Sequence, residues 1–436
     1  MQDKFRAIDT LPAETIATIQ GRLLEEAVRY AYDRSPFYRR TFDERGISPS
    51  EIRDLQGLEL LPITDRNDFQ ESNLDFVAAP RSDIAEMVAT TGTSGEPAFV
   101  SMTSNDLLRL FCNEERSFLS AGAVKEDLFH IAVTCDNLFI AGLAYHGGLS
   151  RIGATVARIG PQNLLRHLDL IKLLRPTGMV AVPSFIVHMA RRMEEAGLTR
   201  EDVGLKKIVL IGDSIRDADF STNALGKLIE EVFGRIFFST YGITEAQLSF
   251  FECASHRGLH SHPDFIIAEI VDDAGKVLPD GETGELVLTT LQVEGMPLLR
   301  YRTGDITFRI SENCECGRNS SRIGPILGRK CQRLKYKGVT LYPKTIENAL
   351  LGIKGVVNYQ IEAFTGDDQT DTILLRVGTH SGGNGFMAQL HDALLAKARV
   401  TPRIEIERPE EIEKRLFKGG SRKAITFRDR RIRLYE

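Results

Sequence analysis

The spacing of apolar residues changes along the chain, and each change predicts a different architecture. Residues 13–32 place apolar side chains at helical spacing. From Ser104 to Gly212, short apolar runs alternate with longer amphipathic stretches, which predicts parallel strands joined by helices. From Ile266 to Arg309 the apolar runs are separated by Asp/Gly turns, which indicates a small antiparallel β part.

A separate pattern occupies the last hundred or so residues. A linker over Gly324 to Arg329 precedes a small α+β module that resembles a βαββαβ unit. Its helices are predicted over Pro343 to Leu351 and Phe386 to Ala398, and its strands over Val356 to Phe364, Asp371 to Val377 and Arg403 to Glu407. We therefore expect an α/β protein with two domains. The large one, residues 1–328, would have mixed and parallel sheets flanked by helices plus the antiparallel part. The small one, residues 329–436, would be a mobile α+β domain.

A glycine turn lies between two apolar runs near residue 90. Ile84 to Val88 leads into the sequence TTGTSGEP, and Ala98 to Met102 resumes as a strand, so a hairpin is the simplest geometry. Glycines let a backbone approach a ligand closely, and successive N–H groups form a concave site for anions. A phosphate site and a plain surface loop are the two interpretations, because the Walker spacing is absent. The candidate phosphate-binding residues are Thr91, Gly92, Thr93, Ser94 and Gly95.

Composition narrows the function classes. The chain has 436 residues, 42% of them hydrophobic, and a net charge of −5, which argues against a broad nucleic-acid surface. It has no apolar run of the roughly 18 residues that a membrane span needs, and no signal-peptide core at its start. We expect a cytoplasmic protein without nucleic-acid or membrane partners. Six cysteines are too few for a disulfide scaffold, so they are thiols or metal ligands.

Two polar segments follow apolar runs and therefore lie where parallel sheets bind ligands, beyond the carboxyl ends of strands. The first is Gly212, Asp213 and Ser214, and the second runs from Tyr241 to Glu245. Their own chemistry does not identify the ligand, since a Gly/Asp turn or a solvated glutamate is common in ordinary loops.

The motifs form an ordered set that resembles the adenylate-forming acyl-CoA synthetase superfamily, with its phenylacetate–CoA ligase branch the most similar. TTGTSGEP is followed by YGITE at 241–245, YRTGD at 301–305, GRKCQRLKYKGVTLYP at 328–343 and a late lysine in SRKA. The opening SPFYRRTFDERGI at 35–47 and a cysteine pair before the last domain fit the same branch. The resemblance implies that ATP activates a carboxylic acid as an acyl-adenylate, and that coenzyme A then displaces AMP.

The resemblance also implies residue roles. The glycine turn would hold the β- and γ-phosphates, Thr244 the α-phosphate, and Glu245 a Mg²⁺ ion, a hard cation that prefers oxygen ligands. Asp305 would accept bonds from the ribose hydroxyls, and Arg329 would reach the ribose or phosphate side. The adenine would be flanked by Tyr241, Gly242 and the segment Gly212, Asp213 and Ser214.

Lys423 matches the family's late lysine, whose ammonium would stabilise charge on the α-phosphate and the attacking carboxylate. Lys414 and Lys418 are rivals, and a lysine in this basic stretch is otherwise a solvated side chain. Family members rotate the last domain after adenylation, and Cys331 stands where many relatives have a hinge aspartate. Glu96 also departs from the family, in which many members have lysine in the glycine turn.

The acid would bind between Asp136 and Gly148, near Pro183, and along the segment that follows Glu245. The aromatic residues of these segments, Phe139, Tyr145 and Phe250, could equally be ordinary core side chains. The segment after Glu245 reads AQLSFFEC and lacks the GPG run of phenylacetate ligases, which puts phenylacetate itself in question. The candidate acyl-pocket residues are Phe139, Tyr145, Gly147, Pro183, Ala246 and Phe250.

Four side chains form a candidate metal site of the structural type. Cys253 and His260 lie in ECASHRGLH, and Cys314 and Cys316 lie in NCECGR. Three thiols and one imidazole can close a tetrahedron around Zn²⁺, although CxC is tighter than the usual CxxC. Many relatives in the branch carry cysteine and histidine in these places. The competing interpretations are a different histidine, His256 or His262, and isolated thiols without a metal.

Three functions remain open. The first is an acid–CoA ligase for an aryl or arylacetic acid, with ATP, Mg²⁺ and CoA and a structural Zn²⁺. The second is an adenylating enzyme that passes its product to a carrier protein or another acceptor. The third is a non-catalytic nucleotide-binding homologue. A homodimer is expected by analogy with the branch alone.

Overall fold

The structure is a computed structural model, and it describes residues 8–90, 98–161, 163–336, 339–366, 371–380, 383–417 and 424–431. The chain divides into two compact units. The first comprises Met1–Ser221 with Leu228–Ile326, and the second comprises Thr222–Lys227 with Leu327–Glu436. Within the described ranges, no helix combines the length and the apolar composition that crossing a bilayer requires.

The first unit carries nine of the helices in the described residues, the last of which begins in the short segment assigned to the second unit. They are α1 (Ala13–Arg34), α2 (Pro36–Arg45), α3 (Arg66–Glu71), α4 (Ser104–Ser120), α5 (Ile140–Ile152), α6 (Leu164–Leu174), α7 (Pro183–Glu195), α8 (Arg200–Val203) and α9 (Ala224–Phe233).

Its strands begin with the pair β1 (Ile84–Ala89) and β2 (Phe99–Thr103). The remaining ones are β3 (Leu128–Ile131), β4 (Thr155–Arg158), β5 (Gly178–Ala181), β6 (Lys207–Leu210), β7 (Phe237–Ile243), β8 (Leu248–Phe251), β9 (Leu259–His260), β10 (Ile266–Val271), β11 (Thr283–Thr290), β12 (Tyr301–Ile310) and β13 (Arg322–Ile323).

The large sheet is parallel at one end and antiparallel at the other. Strands β4, β3, β5, β6 and β7 pair in parallel in that order. From β7 the sheet continues antiparallel through β8, β9, β13, β12, β11 and β10. The α/β fold class predicted from the sequence is confirmed, and its antiparallel part continues the main sheet.

The parallel strands are buried on both faces, which explains their continuous apolar sequences. On β5, Val180 packs into one core with α4 and α5, whereas Met179 and Ala181 pack into another with α6, α7 and α9. On β6, Val209 and its neighbours Ile208 and Leu210 alternate in the same way. Because helices cover both faces of the parallel strands, a ligand would bind at the carboxyl ends of these strands.

The β1–β2 hairpin has the geometry that the sequence predicts on either side of the glycine turn. The two strands pair antiparallel, from Ile84 opposite Thr103 to Ala89 opposite Phe99. The N–H of Thr90 donates to the carbonyl of Ala98 at 2.9 Å and closes the pair. The turn itself, residues 91–97, lies outside the described residues.

The second unit has its own core around Leu334, Ile361, Leu375, Leu390 and other apolar residues. Its elements are β14 (Gly328–Arg329), β15 (Leu334–Tyr336), β16 (Val339–Leu341), α10 (Pro343–Leu350), β17 (Asn358–Thr365), β18 (Asp371–Gly378), α11 (Asn384–Ala398), β19 (Arg403–Glu407), α12 (Pro409–Leu416) and β20 (Phe427–Asp429).

The strand order in this unit departs from a βαββαβ unit. The sheet runs β19–β18–β17–β20, and β15 pairs with β16 in a separate hairpin. The sequence interpretation missed β20, which pairs in parallel with β17. It also missed α12, because this charged octapeptide is short and offers only Ile412 and Leu416 as apolar side chains after its proline.

Candidate active site

The two polar segments predicted at the sheet edge lie on neighbouring strands. β6 ends before Gly212, and β7 ends beside Tyr241 and Gly242, with the two strands paired in parallel. The Thr240 hydroxyl donates to the Leu210 carbonyl at 3.1 Å. Gly212 has φ of +84°, a left-handed conformation that glycine adopts without strain, and it turns the chain at this edge. Asp213 and Ser214 follow directly.

Tyr241 and Asp305 meet although they lie in different motifs. The Tyr241 hydroxyl donates to Asp305 Oδ2 at 2.7 Å. Asp305 lies on β12, and its N–H donates to the Thr303 hydroxyl at 3.1 Å. Gly304, at φ +75°, turns the backbone between them. The aspartate and the tyrosine predicted to contact the nucleoside therefore lie together.

Glu245 lies in the turn that joins β7 to β8. The N–H of Gln247 donates to the Thr244 carbonyl at 3.1 Å and closes this turn. The hydroxyl of Tyr301, the first residue of β12, donates to Glu245 Oε1 at 3.5 Å. Two phenols thus connect the YGITE and YRTGD motifs, one to each carboxylate.

Both phenols keep their protons. Burial raises the pKa of Tyr241 well above its usual value, and the negative charge of Asp305 raises it further. Burial and the charge of Glu245 act on the pKa of Tyr301 in the same direction. The two tyrosines therefore act as hydrogen-bond donors throughout the physiological range.

The remaining residues predicted for the nucleotide site and the hinge either lie outside the described part of the chain or belong to the second unit. Thr91, Gly92, Thr93, Ser94 and Gly95 of the glycine turn lie outside the described residues, as do Glu96 and Lys423. Arg329 ends β14 in the second unit. Cys331 follows it, and its carbonyl accepts a hydrogen bond from Arg431 Nη2 at 3.4 Å.

The acyl-pocket candidates fall into two groups. Phe250 is fully buried, and its ring lies 5.8 Å from that of Tyr241, while Ala246 is buried beside the Glu245 turn. Phe139 is half-buried at the start of α5, and Pro183 is the buried first residue of α7. Phe139 and Pro183 therefore lie in the segments that follow the carboxyl ends of β3 and β5.

Tyr145 and Gly147 have packing roles inside the core. The Tyr145 ring packs edge-on against Phe118 at 5.7 Å. A Cβ on Gly147 would come within 2.0 Å of the Phe111 ring, so glycine allows α5 to approach α4. Packing explains both residues whether or not they also contact an acid.

Sequence reasoning missed a buried polar group on α4. Glu114 accepts hydrogen bonds from the Ser249 hydroxyl at 2.7 Å and from Asn113 Nδ2 at 3.0 Å. All three residues are buried. Two features of the sequence could have indicated this group. The helix α4 has polar residues among the apolar ones that should face the core, and the segment after Glu245 also contains polar residues.

The four predicted metal ligands converge. The ligand atoms of Cys253, His260, Cys314 and Cys316 all lie within 4.8 Å of one another. Cys253 Sγ is 3.6 Å from Cys314 Sγ, and Cys316 Sγ is 3.6 Å from His260 Nε2. A tetrahedral Zn²⁺ with ordinary bond lengths needs about 3.8 Å between two sulfurs and about 3.6 Å between sulfur and nitrogen. The donor set and both distances therefore fit zinc.

The charges around this cluster also fit a metal. Burial, together with the cationic Arg318 and Arg322, lowers the pKa of His260 to about 3, so the imidazole is neutral. Burial raises the pKa of Cys314, but hydrogen bonds from the backbone and side chain of Cys316 outweigh it, and the net shift is downward. The thiolate and neutral imidazole are the forms that bind a metal. Burial and the neighbouring cysteines raise the pKa of Cys253 to about 12, so this thiol would give up its proton only to a bound metal.

Other side chains around the cluster link it to the N-terminal segment. Arg318 donates to Cys316 Sγ at 3.3 Å and to Asp9 Oδ2 at 3.1 Å. His262, a rival ligand in the sequence, instead faces the Asp9 carboxylate with Nδ1 at 3.3 Å. The other rival, His256, lies 3.0 Å from Glu252. Both rival histidines therefore have carboxylate partners outside the cluster.

Comparison with known proteins identifies the class. The family model described as AMP-binding enzyme matches residues 9–294, which is more than half of the chain. The chain therefore belongs to the AMP-binding enzyme family. Within that family it belongs to the phenylacetate–CoA ligase-like branch, as the sequence resemblance predicted, on the strength of the following relatives.

The chain is 38% identical over 360 residues to a phenylacetate–coenzyme A ligase of Thermus thermophilus, covering 81% of this chain and 79% of that protein. It is 30% identical over 365 residues to a phenylacetate–coenzyme A ligase of Escherichia coli, covering 82% of each. A solved 2-hydroxyisobutyryl-CoA ligase, in its postadenylation state with an acyl-AMP, superposes with a TM-score of 0.84 at 24% identity, covering 97% of this chain and 91% of that one. The last similarity concerns the fold alone.

Proposed function

We propose that this protein is an ATP-dependent carboxylic acid–CoA ligase that works through an acyl-adenylate. Membership of the AMP-binding family supports the class. The structural observation that supports the residue assignments is the hydrogen bond between Tyr241 and Asp305 at the carboxyl edge of β7. Glu245 and Tyr301 form a second contact beside it.

In the first half-reaction, a carboxylate oxygen of the acid attacks the α-phosphorus of ATP, and the bond to pyrophosphate breaks. Asp305 accepts hydrogen bonds from the ribose hydroxyls, because a carboxylate has lone pairs to spare beyond the one that Tyr241 occupies. Thr244 donates to the α-phosphate, and Glu245 is the carboxylate that would hold Mg²⁺. When bound, the cation neutralises charge between the phosphates.

The remaining contacts rest on the family resemblance. The glycine turn, residues 91–95, would bind the β- and γ-phosphates, and Lys423 would stabilise the charge on the α-phosphate. Gly212, Asp213, Ser214 and Gly242 would flank the adenine, and Arg329 would approach the ribose. The two compact units then correspond to an adenylation domain and a smaller C-terminal domain that supplies the lysine.

In the second half-reaction, the thiol sulfur of CoA attacks the acyl carbon and AMP leaves with the bonding electrons of the acyl–oxygen bond. The acid is an aryl or arylacetic acid bound along α5 and the segment after Glu245. The names of the relatives support this class. The missing GPG run after Glu245 sets this chain apart from phenylacetate ligases in that segment.

The cysteine–histidine cluster is a structural Zn²⁺ site in this proposal. Cys253, His260, Cys314 and Cys316 would be the four ligands, which leaves no open position for chemistry. Free thiols at such a site suit a reducing compartment, so we place the protein in the cytoplasm. A homodimer is proposed by analogy with the branch, and light scattering at micromolar concentration tests it.

A panel of carboxylic acids tests the function. We expect AMP and an acyl-CoA to form with ATP, Mg²⁺, CoA and an arylacetic acid, whereas a long fatty acid reacts poorly. Pyrophosphate release with acid, but no thioester with CoA, would instead favour transfer to a carrier protein. ATP binding without pyrophosphate release for every acid tested would favour a non-catalytic homologue.

A further inference from the structure

The side of α4 that packs into the protein is unusually polar. Its apolar residues at this face are Leu110, Cys112 and Phe118, but polar and charged residues outnumber them. Helix faces that pack into a core are normally apolar, because each buried polar group must be hydrogen-bonded to offset its desolvation. The buried polar residues of α4 are Asp106, Arg109, Asn113, Glu114, Arg116 and Ser117.

Five of these six have structural tasks. Asp106 accepts hydrogen bonds from the backbone N–H groups of residues 294 and 295. Arg109 donates to three backbone carbonyls. Arg116 forms an ion pair with the buried Asp264 at 2.8 Å, and the Ser117 hydroxyl donates to the Asn113 carbonyl one turn earlier. Asn113 Nδ2 also donates to the Ser249 carbonyl, at 3.2 Å, so Glu114 is the one whose burial no backbone contact or ion pair explains.

Glu114 is 2% exposed and has no ion-pair partner among the described residues. Both of its hydrogen bonds, from Ser249 and Asn113, reach the same oxygen, Oε1. Burial raises the pKa of Glu114 to about 7, against the opposing effect of those two bonds. A buried carboxyl with a pKa near neutrality is more typical of ligand-binding positions than of structural ones.

Asn113, which precedes Glu114, and Gln247, two residues before Ser249, carry polar atoms that are buried and lack partners within the described part of the chain. They are Asn113 Oδ1 and both side-chain atoms of Gln247. Gln247 has φ of +55°, and its carbonyl accepts a hydrogen bond from Arg109. Arg109 lies one helical turn before Asn113, on the same face of α4. A buried polar atom without a partner costs about 1–3 kcal/mol, so three in one place need an explanation.

The cluster lies between two segments that we propose for the acyl pocket. Ser249 directly precedes Phe250. On the other side, a Cβ on Gly148 of α5 would come within 2.4 Å of Glu114 Cβ, so the helix backbone packs directly on this side chain. A small cavity of about 10 Å³ also touches Glu114, with Ser117, Thr240 and Glu252 among its other lining residues. That is room for about one water-sized oxygen.

We propose that the acid activated by this enzyme carries a hydroxyl group, and that Glu114 accepts a hydrogen bond from it while the amides of Gln247 and Asn113 complete the polar contacts. The substrate class is then a hydroxylated aryl or arylacetic acid. This inference rests on the proposed acid–CoA ligase function. It also accounts for the chain's departure after Glu245, because Gln247 and Ser249 are the polar residues of that divergent segment.

Paired substrates test the inference. AMP formation is measured for phenylacetic acid and for its 2-, 3- and 4-hydroxylated forms. We expect kcat/KM for one hydroxylated acid to exceed that for phenylacetic acid by about tenfold or more, as a hydrogen bond to a charged group implies. Equal values for all four acids would overturn the inference and leave the acid–CoA ligase function standing. Absence of AMP with every acid of the panel would overturn both.

Variants identify the residues. Glu114→Gln and Gln247→Leu should each lower the ratio of kcat/KM for the hydroxylated acid to kcat/KM for phenylacetic acid at least about fivefold, whereas the Kd for ATP should not change. Glu115→Gln is the matched control, because Glu115 is the next residue and pairs with Arg151 at 2.7 Å instead. Thermal melts identify a variant that fails to fold, and the other variant then decides the result. An unchanged preference in a folded variant would mean that these groups bind only internal water, which overturns the inference.

Discussion

The hydroxyl of Tyr241 and the carboxylate of Asp305 lie 2.7 Å apart, although 64 residues separate them in the chain. The bond joins the end of β7 to β12 and brings two sequence motifs into one site. Because burial and the neighbouring charge keep the phenol protonated, Tyr241 always donates and Asp305 always accepts. The tyrosine therefore orients the carboxylate that we assign to the ribose.

Tyr241→Phe removes this donor and frees the carboxylate to rotate. We expect the KM for ATP to rise about three- to tenfold, less than the loss of a direct hydrogen bond to a charged group, because Tyr241 acts on ATP only through Asp305, and we expect a smaller change in kcat. Pyrophosphate release measured against ATP concentration gives both values. Tyr30→Phe is the matched control, since its hydroxyl donates to the Glu294 carbonyl at 2.9 Å. Equal KM values for the two variants would exclude an orienting role.

Asp305→Ala removes the carboxylate itself. We expect ATP binding to weaken by at least about tenfold, because the ribose hydroxyls lose their acceptor. Titration calorimetry with ATP measures the affinity without requiring turnover. Asp280→Ala serves for comparison, because Asp280 pairs with Arg309 near the protein surface. Normal ATP affinity in a folded Asp305→Ala protein would contradict the ribose assignment.

Chain pattern predicted the parallel strands and the edge that carries the site, because periodicity reports which faces of an element are buried. It does not report which strand is the neighbour. β9 pairs with β13 from about sixty residues further along, and β20 adds to β17 only after α12. Glu114 escaped detection for a related reason: its partners are Ser249 and the packed backbone at Gly148, which are distant in sequence.

The cysteine–histidine cluster predicts a measurable metal content. Elemental analysis of the purified protein should give about one zinc per chain, and Cys253→Ser should lose it and melt at a lower temperature, because structural zinc sites contribute folding free energy. Cys112→Ser is the control, since Cys112 is a buried thiol outside the cluster. Wild-type protein without zinc after purification in zinc-containing medium would mean that the four side chains form no metal site.

Arg318 should tune that site, because it donates to Cys316 Sγ and to Asp9 and so links a ligand to the N-terminal segment. We expect Arg318→Gln to lose zinc to a chelator about tenfold more readily than the wild type, because the loss of a side chain that holds a metal ligand typically weakens metal binding by that factor. Arg309→Gln removes a surface arginine as the control. If both variants release zinc at the wild-type rate, the hydrogen bond to Cys316 is irrelevant to metal binding.

The buried pair of His130 and His167 predicts a loss of stability in mild acid. His130 Nε2 and His167 Nδ1 are 2.7 Å apart, and neither residue is exposed. Burial, together with the proximity of His167, lowers the pKa of His130 to about 4, and burial also lowers the pKa of His167. The unfolded chain, with ordinary histidine pKa values, thus binds protons first as the pH falls. Stability is therefore full above about pH 6.5 and is lost between about pH 6.5 and 4, by up to about 3 kcal/mol for His130 alone.

The test compares the wild type with the double variant His130→Phe, His167→Leu in urea at pH 7.5 and pH 5. Glu114 acts in the opposite direction over this range, because its raised pKa makes the folded carboxyl take up a proton before the unfolded one. It is present in both proteins, so its contribution cancels in the comparison. We expect the urea midpoint of the wild type to fall more than that of the double variant. His188→Gln, on α7, should resemble the wild type, because His188 is exposed. Parallel falls in the wild type and the double variant would show that the pair binds protons equally in the folded and unfolded chains, and so would contradict the lowered pKa values.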